Sequence, residues 1–207
     1  MYLNRVNKIL LIHIMFSFGL GCASEHSERN NNFIEYKDST KFLNEFSFKY
    51  FQIANKYKKL KKFSIAEDYY KKSIDLDSCN NVVMLNLGNL YSIQGRYIEA
   101  KYWYLKIIKR DTTYSPAYFN LAELSNQLHE YENAIEYAHR SINLIKTRED
   151  MYPRLITISY AYIMLGSCDS AKKYFEEYKK NVPQSSPAFD FDYLFFYTEQ
   201  CEDLKSL

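Results

Sequence analysis

The sequence predicts an all-α chain built from repeated helical hairpins, and three observations carry that prediction. The 207 residues include only 5 Gly and 4 Pro, so long stretches lack both helix breakers. Residues also recur at a spacing of thirty-four: Ala54 aligns with Gly88 and Ala122, Phe63 with Tyr97 and Tyr131, and Ala66 with Ala100 and Ala134. Tyr70 and Tyr104 continue the register, with Ala138 in the third copy, and Ile74, Ile108 and Ile142 close each unit. Finally, Met84, Leu87, Gly88 and Tyr91 fall at i, i+3, i+4 and i+7, which makes one stripe on one helix.

A glycine inside a helix costs about 1 kcal/mol relative to alanine, so packing must offset Gly88. A small residue in that stripe lets the second helix of the hairpin approach closely, with Ala100 as the small residue facing it. Gly95 opens the turn between the two helices. The 17 % aromatic content, including 21 Tyr, suits half-buried helical seams, because such rings join apolar area to a polar tip.

These columns resemble the tetratricopeptide repeat, a helix–turn–helix unit of about 34 residues. The small residue of its first helix, the aromatic after its turn and the alanine of its second helix all have counterparts here. A fourth copy fits after a three-residue slip, through Leu155, Ile158, Ser159 and Tyr162, then Gly166, Ala171, Phe175 and Pro183. It has Cys168 where the other copies carry an aromatic. The resemblance implies a right-handed superhelical array of about four repeats, over about 47–80, 81–114, 115–148 and 152–185, in a domain spanning 40–207. Phe42 and Phe46 extend the first helix backwards in this reading. Ser186 before Pro187 reads as an N-cap with proline at the first helical position, starting a capping helix over about 187–204. Phe191, Phe195 and Phe196, with Tyr193, Leu194 and Tyr197, spread around that helix more widely than one covered face requires. A further contact through the C-terminal helix is therefore expected.

At the other end, Arg5 and Lys8 precede an apolar run from Ile9 to Leu20, the pattern of a secretory signal. The run is shorter than the roughly 20 residues of a membrane span. Gly21 directly before Cys22 resembles the lipobox of bacterial lipoproteins, whose cysteine is acylated and becomes the mature N-terminus. The leucine usual three residues before the cysteine is Gly19 here, and Leu20 stands one place later. The expectation is a signal peptide over 1–21, a lipid anchor to a bilayer at Cys22, and a polar, flexible tether over 22–39. That places the chain in the bacterial cell envelope, exported and facing the periplasm or the surface. An ordinary signal cut at Gly19 and Gly21, leaving a free Cys22 thiol, is the alternative.

The formal net charge of +2 gives no electrostatic case for nucleic acid. No catalytic constellation is present. His26, His129 and His139 have no cysteine pair or acidic motif at ligand spacing. "HEYEN" at His129 lacks the second histidine of a metalloprotease motif and falls at a repeat turn. There is no phosphate loop and no nucleophile elbow, so no catalytic residue, metal ligand or cofactor is assigned. Cys79, Cys168 and Cys201 allow at most one bridge. Cys168 and Cys201 could be neighbours, but adjacent repeat turns often exceed the roughly 7 Å Cα limit, so buried reduced cysteines are expected. The basic run Asn55 to Lys62 reads as a solvated turn, with an anionic membrane surface as the alternative.

Function is sought on the face left over. At 100° per residue, Val82, Asn86, Asn89 and Ile93 cluster opposite the core stripe. The equivalents are Phe48, Gln52, Asn55 and Lys59 in the first repeat, and Pro116, Asn120, Glu123 and Gln127 in the third. In the fourth they are Pro153, Thr157, Tyr160 and Met164. In the family these repeats resemble, the first helices line a concave groove where peptides bind. The resemblance therefore implies a groove at Gln52, Asn55, Lys59, Asn86, Asn89, Asn120, Glu123, Gln127 and Tyr160. Its amides resemble the asparagine ladder by which some members hold an extended backbone, since an amide offers both donors and an acceptor. Asparagine is also common at this place in the family, and a polar face needs polar residues in any case. A clamp for a C-terminal carboxylate needs several Lys or Arg, whereas Lys59 stands alone on this face, beside Glu123. The apolar fourth repeat would take hydrophobic side chains of a bound segment. The implied function is a non-catalytic scaffold or adaptor for a protein or peptide partner, in assembly of an envelope complex. A subunit for surface nutrient capture or adhesion, using the same groove, is the alternative, and an enzyme comes last.

Overall fold

The computed structural model describes residues 42–145, 147, 150–182 and 201. Eight α-helices occupy them as four hairpins, and no strand occurs among the described residues. Helix α1 (Glu45–Lys59) pairs with α2 (Phe63–Leu76), and α3 (Asn81–Ile93) with α4 (Tyr97–Arg110). Helix α5 (Ser115–Gln127) pairs with α6 (Tyr131–Leu144), and α7 (Met151–Met164) with α8 (Cys168–Asn181). The starts of α2, α4 and α6 are thirty-four residues apart and α8 begins thirty-seven after α6, so the slip before the fourth copy is present in the fold. Packing is most extensive within hairpins and between successive ones, and the first helices α3, α5 and α7 also touch one another. First helices therefore line the inside of a superhelical array and second helices its outside.

Local chemistry explains the element boundaries. The Asn44 side chain caps α1 by accepting from the Phe46 N–H at 2.8 Å, and Asn80 caps α3 by accepting from Val82 and Val83 at 3.1 and 3.3 Å. Helix α5 carries Pro116 in its first turn, where a missing N–H costs nothing. Every intra-hairpin turn places one residue in the left-handed region: Lys61, Gly95, His129 and Gly166, with φ of 55°, 72°, 62° and 68°. Their spacing of 34, 34 and 37 residues repeats the helix spacing, so one turn geometry serves all four hairpins.

The repeat columns are the core. Ala54, Ala122 and Ser159 are fully buried, as are Ala66, Ala100, Ala134 and Ala171 on the facing helices. Gly88 answers to a different partner than the facing alanine. A Cβ built on it would stand 2.5 Å from Cε1 of the buried Tyr104 ring, so the missing side chain makes room for that ring. Ser47 and Ser73 cross-link the first hairpin, each hydroxyl donating to the other's carbonyl at 2.9 and 2.8 Å. Ser115 and Ser141 repeat the device in the third, at 3.0 Å each.

Two expectations are corrected. Phe42 does not extend α1, because the Asn44 cap starts that helix at Glu45; the Phe42 ring instead packs 5.0 Å from Phe48 and 5.3 Å from Phe51. Phe46 is helical but 64 % exposed. Cys168 and Cys201 are bridged rather than reduced, with Cα atoms 5.4 Å apart, and Cys79 is exposed and free. Cys201 is helical and buried, and the bridge ties it to the start of α8. The signal and Cys22, the tether, and the rest of the capping helix including Phe191, Phe195 and Phe196 lie outside the described residues. No described helix is long and apolar enough to cross a membrane.

Candidate functional site: the inner face of the first helices

Helices α1, α3, α5 and α7 bring two columns of the predicted groove together. One column runs Asn55, Asn89, Glu123 and Tyr160; the other runs Gln52, Asn86, Asn120 and Thr157. Their amides are held by the array itself. The Tyr70 hydroxyl donates to Asn55 Oδ1 at 2.5 Å, and the Tyr104 hydroxyl to Asn89 Oδ1 at 2.7 Å. Asn120 Nδ2 also donates to Asn89 Oδ1, at 2.6 Å, tying the third repeat to the second. One repeat further on, the Thr157 hydroxyl donates to Glu123, so the second column again reaches back to the first. Asn86 bonds within its own helix, Nδ2 to the Val82 carbonyl at 2.9 Å.

This pattern engages the oxygen of each amide. Tyrosine hydroxyls from the second helices donate to the Asn55 and Asn89 oxygens, and the amide nitrogens are left out of those bonds. Among the described residues neither nitrogen has a hydrogen-bond partner, and neither is enclosed, so both reach solvent. Buried Tyr70 and Tyr104 stay protonated, because burial pushes both phenols well above their usual range. They are therefore donors to the two amide oxygens, which leaves the Asn55 and Asn89 N–H groups of the first two repeats for other acceptors.

The third and fourth repeats differ. Burial raises the half-buried Glu123 carboxyl above its usual range, while the Thr157 hydroxyl and the Arg154 charge act against that rise. Arg154 is itself buried, its Nε donating to Ser141 Oγ at 2.6 Å and Nη2 to Ser115 Oγ at 3.2 Å, and its guanidinium lies 4.7 Å from the Phe119 ring. Burial lowers its affinity for the proton. Gln127 Oε1 is enclosed without a hydrogen-bond partner. Gln52 and Lys59 stand exposed on α1.

Two predicted features of the groove change. Val82 does not lie on an open face, since neighbouring repeats leave it 7 % exposed. Tyr160 and Thr157 are buried, at 5 % and 2 %, so they are not open to a bound segment. Tyr160 packs with Leu155, Ile163, Phe175 and Tyr178, and its ring sits 6.4 Å from Tyr131. The Asn55, Asn86, Asn89 and Asn120 amides are half-buried and hydrogen-bonded within the array. Sequence reasoning had put Tyr70 and Tyr104 in the core column and did not see that their hydroxyls cross to the inner face. Arg154 was missed; its signal was to be the one charge in α7, "MYPRLITISYAYIM".

Among the described residues no cluster of His, Cys, Asp and Glu could hold a metal ion. Profiles of the tetratricopeptide repeat match residues 50–78, 82–110 and 103–136. No curated protein sequence matches. Among solved structures, that of MamA is similar with a TM-score of 0.63 and 24 % identity, covering 77 % of this chain and 85 % of that one. YrrB, described as a tetratricopeptide-repeat protein with an unusual peptide-binding site, gives 0.61 and 18 % over 83 % and 81 % of the two chains. The first such domain of Spaghetti (RPAP3), solved with the HSP90 peptide SRMEEVD, gives 0.55 and 20 % over 60 % and 97 %. The matched segments are tetratricopeptide repeats, and the described chain is an all-α superhelical array of four hairpins built on them.

Proposed function

We propose that this chain is an interaction scaffold whose inner face holds an extended segment of a partner protein. The observation that carries the reading is that Tyr70 and Tyr104 hold the Asn55 and Asn89 oxygens, which leaves both amide N–H groups as donors without a partner among the described residues. An extended chain offers carbonyl oxygens as acceptors along its edge, which such donors match. Peptide binding in YrrB and RPAP3, as their descriptions state it, agrees with this use of the fold. The ligand is not a free C-terminal carboxylate, because Lys59 is the single cation among the groove positions. In the same reading the protein works in the bacterial envelope, anchored by an acylated Cys22, as an adaptor in assembly of a membrane complex.

Asn55→Asp with Asn89→Asp tests the groove. Each change keeps the oxygen that accepts from tyrosine and replaces the amide donor by an acceptor. Peptides selected from a random library on the parent chain should bind the double variant about 5- to 150-fold more weakly, since two hydrogen bonds at about 0.5–1.5 kcal/mol each are lost. Unchanged affinity would remove the groove reading. For the anchor, Cys22→Ala should abolish metabolic labelling with a fatty acid. An unmodified native peptide starting at or after Cys22 would remove that part alone.

A further inference from the structure

The inner-face column Asn55, Asn89 and Glu123 changes chemistry at its third member, and the column behind it changes too. Tyr70 and Tyr104 reach from the second helices to the two asparagines. The next member of that series is Ala138, whose side chain has no polar atom to offer Glu123. Thr157, from the following repeat, donates to Glu123 Oε1 alone. Among the described residues Oε2 has no hydrogen-bond partner and is not enclosed, and Glu123 forms no ion pair. Arg154, the cation whose charge it feels, donates instead to Ser141, Ser115 and the Asp150 carbonyl.

The neighbouring groove positions on α5 are short of donors as well. Asn120 gives its nitrogen to Asn89, and its Oδ1 has no partner among the described residues. Gln127 Oε1 is enclosed with none. Asn120, Glu123 and Gln127 stand at i, i+3 and i+7, along one side of one helix. Where the first two repeats leave N–H groups over, the third therefore leaves oxygens, one of them a carboxylate's. A carboxylate partly withdrawn from water costs free energy unless a cation or a proton compensates it. Burial accordingly raises the Glu123 carboxyl above its usual range. Lys59, the single cation among the groove positions, stands on α1 in the first hairpin.

We propose that Glu123, with the Asn120 oxygen beside it, receives a basic side chain of the bound segment, arginine before lysine. This rests on the reading of the inner face as a groove for an extended chain. A guanidinium carries five N–H donors in a planar fork and no acceptor, so it can bond a carboxylate and a nearby amide oxygen together. An ammonium is a compact point charge without that fork. The partner segment then meets donors at the first two repeats and a negative acceptor at the third, which sets its register along the array.

The test uses the full chain, in detergent so that its apolar N-terminal run is covered. Peptides selected on it from a random library should carry Arg or Lys at one recurring position. Replacing that residue by citrulline, the neutral isostere of arginine, should weaken binding at least about tenfold, as loss of a charge-assisted hydrogen bond does. Glu123→Gln keeps an oxygen for Thr157; it should weaken the basic peptide by a similar factor and leave the citrulline peptide unchanged. Asn55→Asp, in the first repeat, should weaken both peptides alike. Selected peptides with no recurring basic residue would overturn the inference and leave the groove in place. So would a basic peptide that the citrulline replacement or Glu123→Gln leaves unaltered. If no peptide binds, the groove reading falls and two small probes decide the Glu123 site by themselves. N-acetyl-arginine methylamide should then shift the ¹³C resonance of the Glu123 carboxyl saturably, and N-acetyl-citrulline methylamide should not. A resonance that neither probe moves would overturn this inference along with the groove.

Discussion

Gly88 shows what a single position contributes. The aligned sites in the first and third repeats hold Ala54 and Ala122, yet here a Cβ would meet Tyr104 Cε1 at 2.5 Å. Gly88→Ala gains about 1 kcal/mol of helix propensity, and it displaces a buried ring whose hydroxyl holds Asn89. Overpacking a core costs about 1–3 kcal/mol, so net destabilisation is expected in urea unfolding. Gly88→Ala with Tyr104→Ala recreates the Ala122/Ala138 pair of the third repeat. The alanine at 88 should then cost nothing, giving a coupling of at least about 1 kcal/mol in the double-mutant cycle. That Gly88 serves packing was legible from the thirty-four-residue column. That its partner is a ring reaching toward Asn89 was not, because helical geometry assigns a residue to a face and says nothing about how far a long side chain from the next helix extends. The same gap hid the orientation of the Asn55 and Asn89 amides. Replacing Asn89 by Ala would also strand the Tyr104 hydroxyl, so such a variant loses stability as well as any groove contact.

At the scale of the hairpin, one left-handed turn residue does the same task four times. Gly95 and Gly166 adopt it freely, whereas Lys61 and His129 carry a Cβ in a conformation that costs an L-residue about 1–2 kcal/mol. A Cβ added at Gly95 would meet nothing within 4 Å, so Gly95→Ala isolates the backbone cost. It should destabilise by about 1 kcal/mol, and Lys61→Gly should stabilise by up to the same amount, less the entropy that glycine adds to the unfolded chain. Thermal melts of the two variants should shift in opposite directions. The hairpins themselves were readable in order and register, including the three-residue slip, because each column is buried at a fixed place. The start of α1 was not, since apolar Phe42 resembles a helix position until the Asn44 cap is seen to exclude it.

At the scale of the molecule, packing of successive hairpins decides what the columns alone do not. It encloses Tyr160, seats Arg154 between two serines, and brings Cys168 to Cys201, none of which follows from one repeat's helical wheel. It also buries Lys58 at the end of α1, where loss of solvent pushes the ammonium down to about 7. An unfolded lysine titrates near 10.4, so between about pH 7 and that value the unfolded chain binds the extra proton. Stability should therefore rise with pH from 7 to 9.5. Above that, raised Tyr70 and Tyr104 begin to favour unfolding, as their phenols ionise more readily in the open chain. Urea midpoints across this window should climb for the parent and stay flatter for Lys58→Met. The central claim is that the array presents donors on its inner face to an extended partner, and the side-chain amide resonances of Asn55 and Asn89 report on it most directly. On titration with a library-selected peptide, both NH2 pairs should shift in ¹⁵N–¹H spectra, while the backbone amides of Ile98 and Glu136 on the outer face stay still. Saturable binding that moves the outer-face signals and leaves both asparagine pairs unchanged would contradict the account.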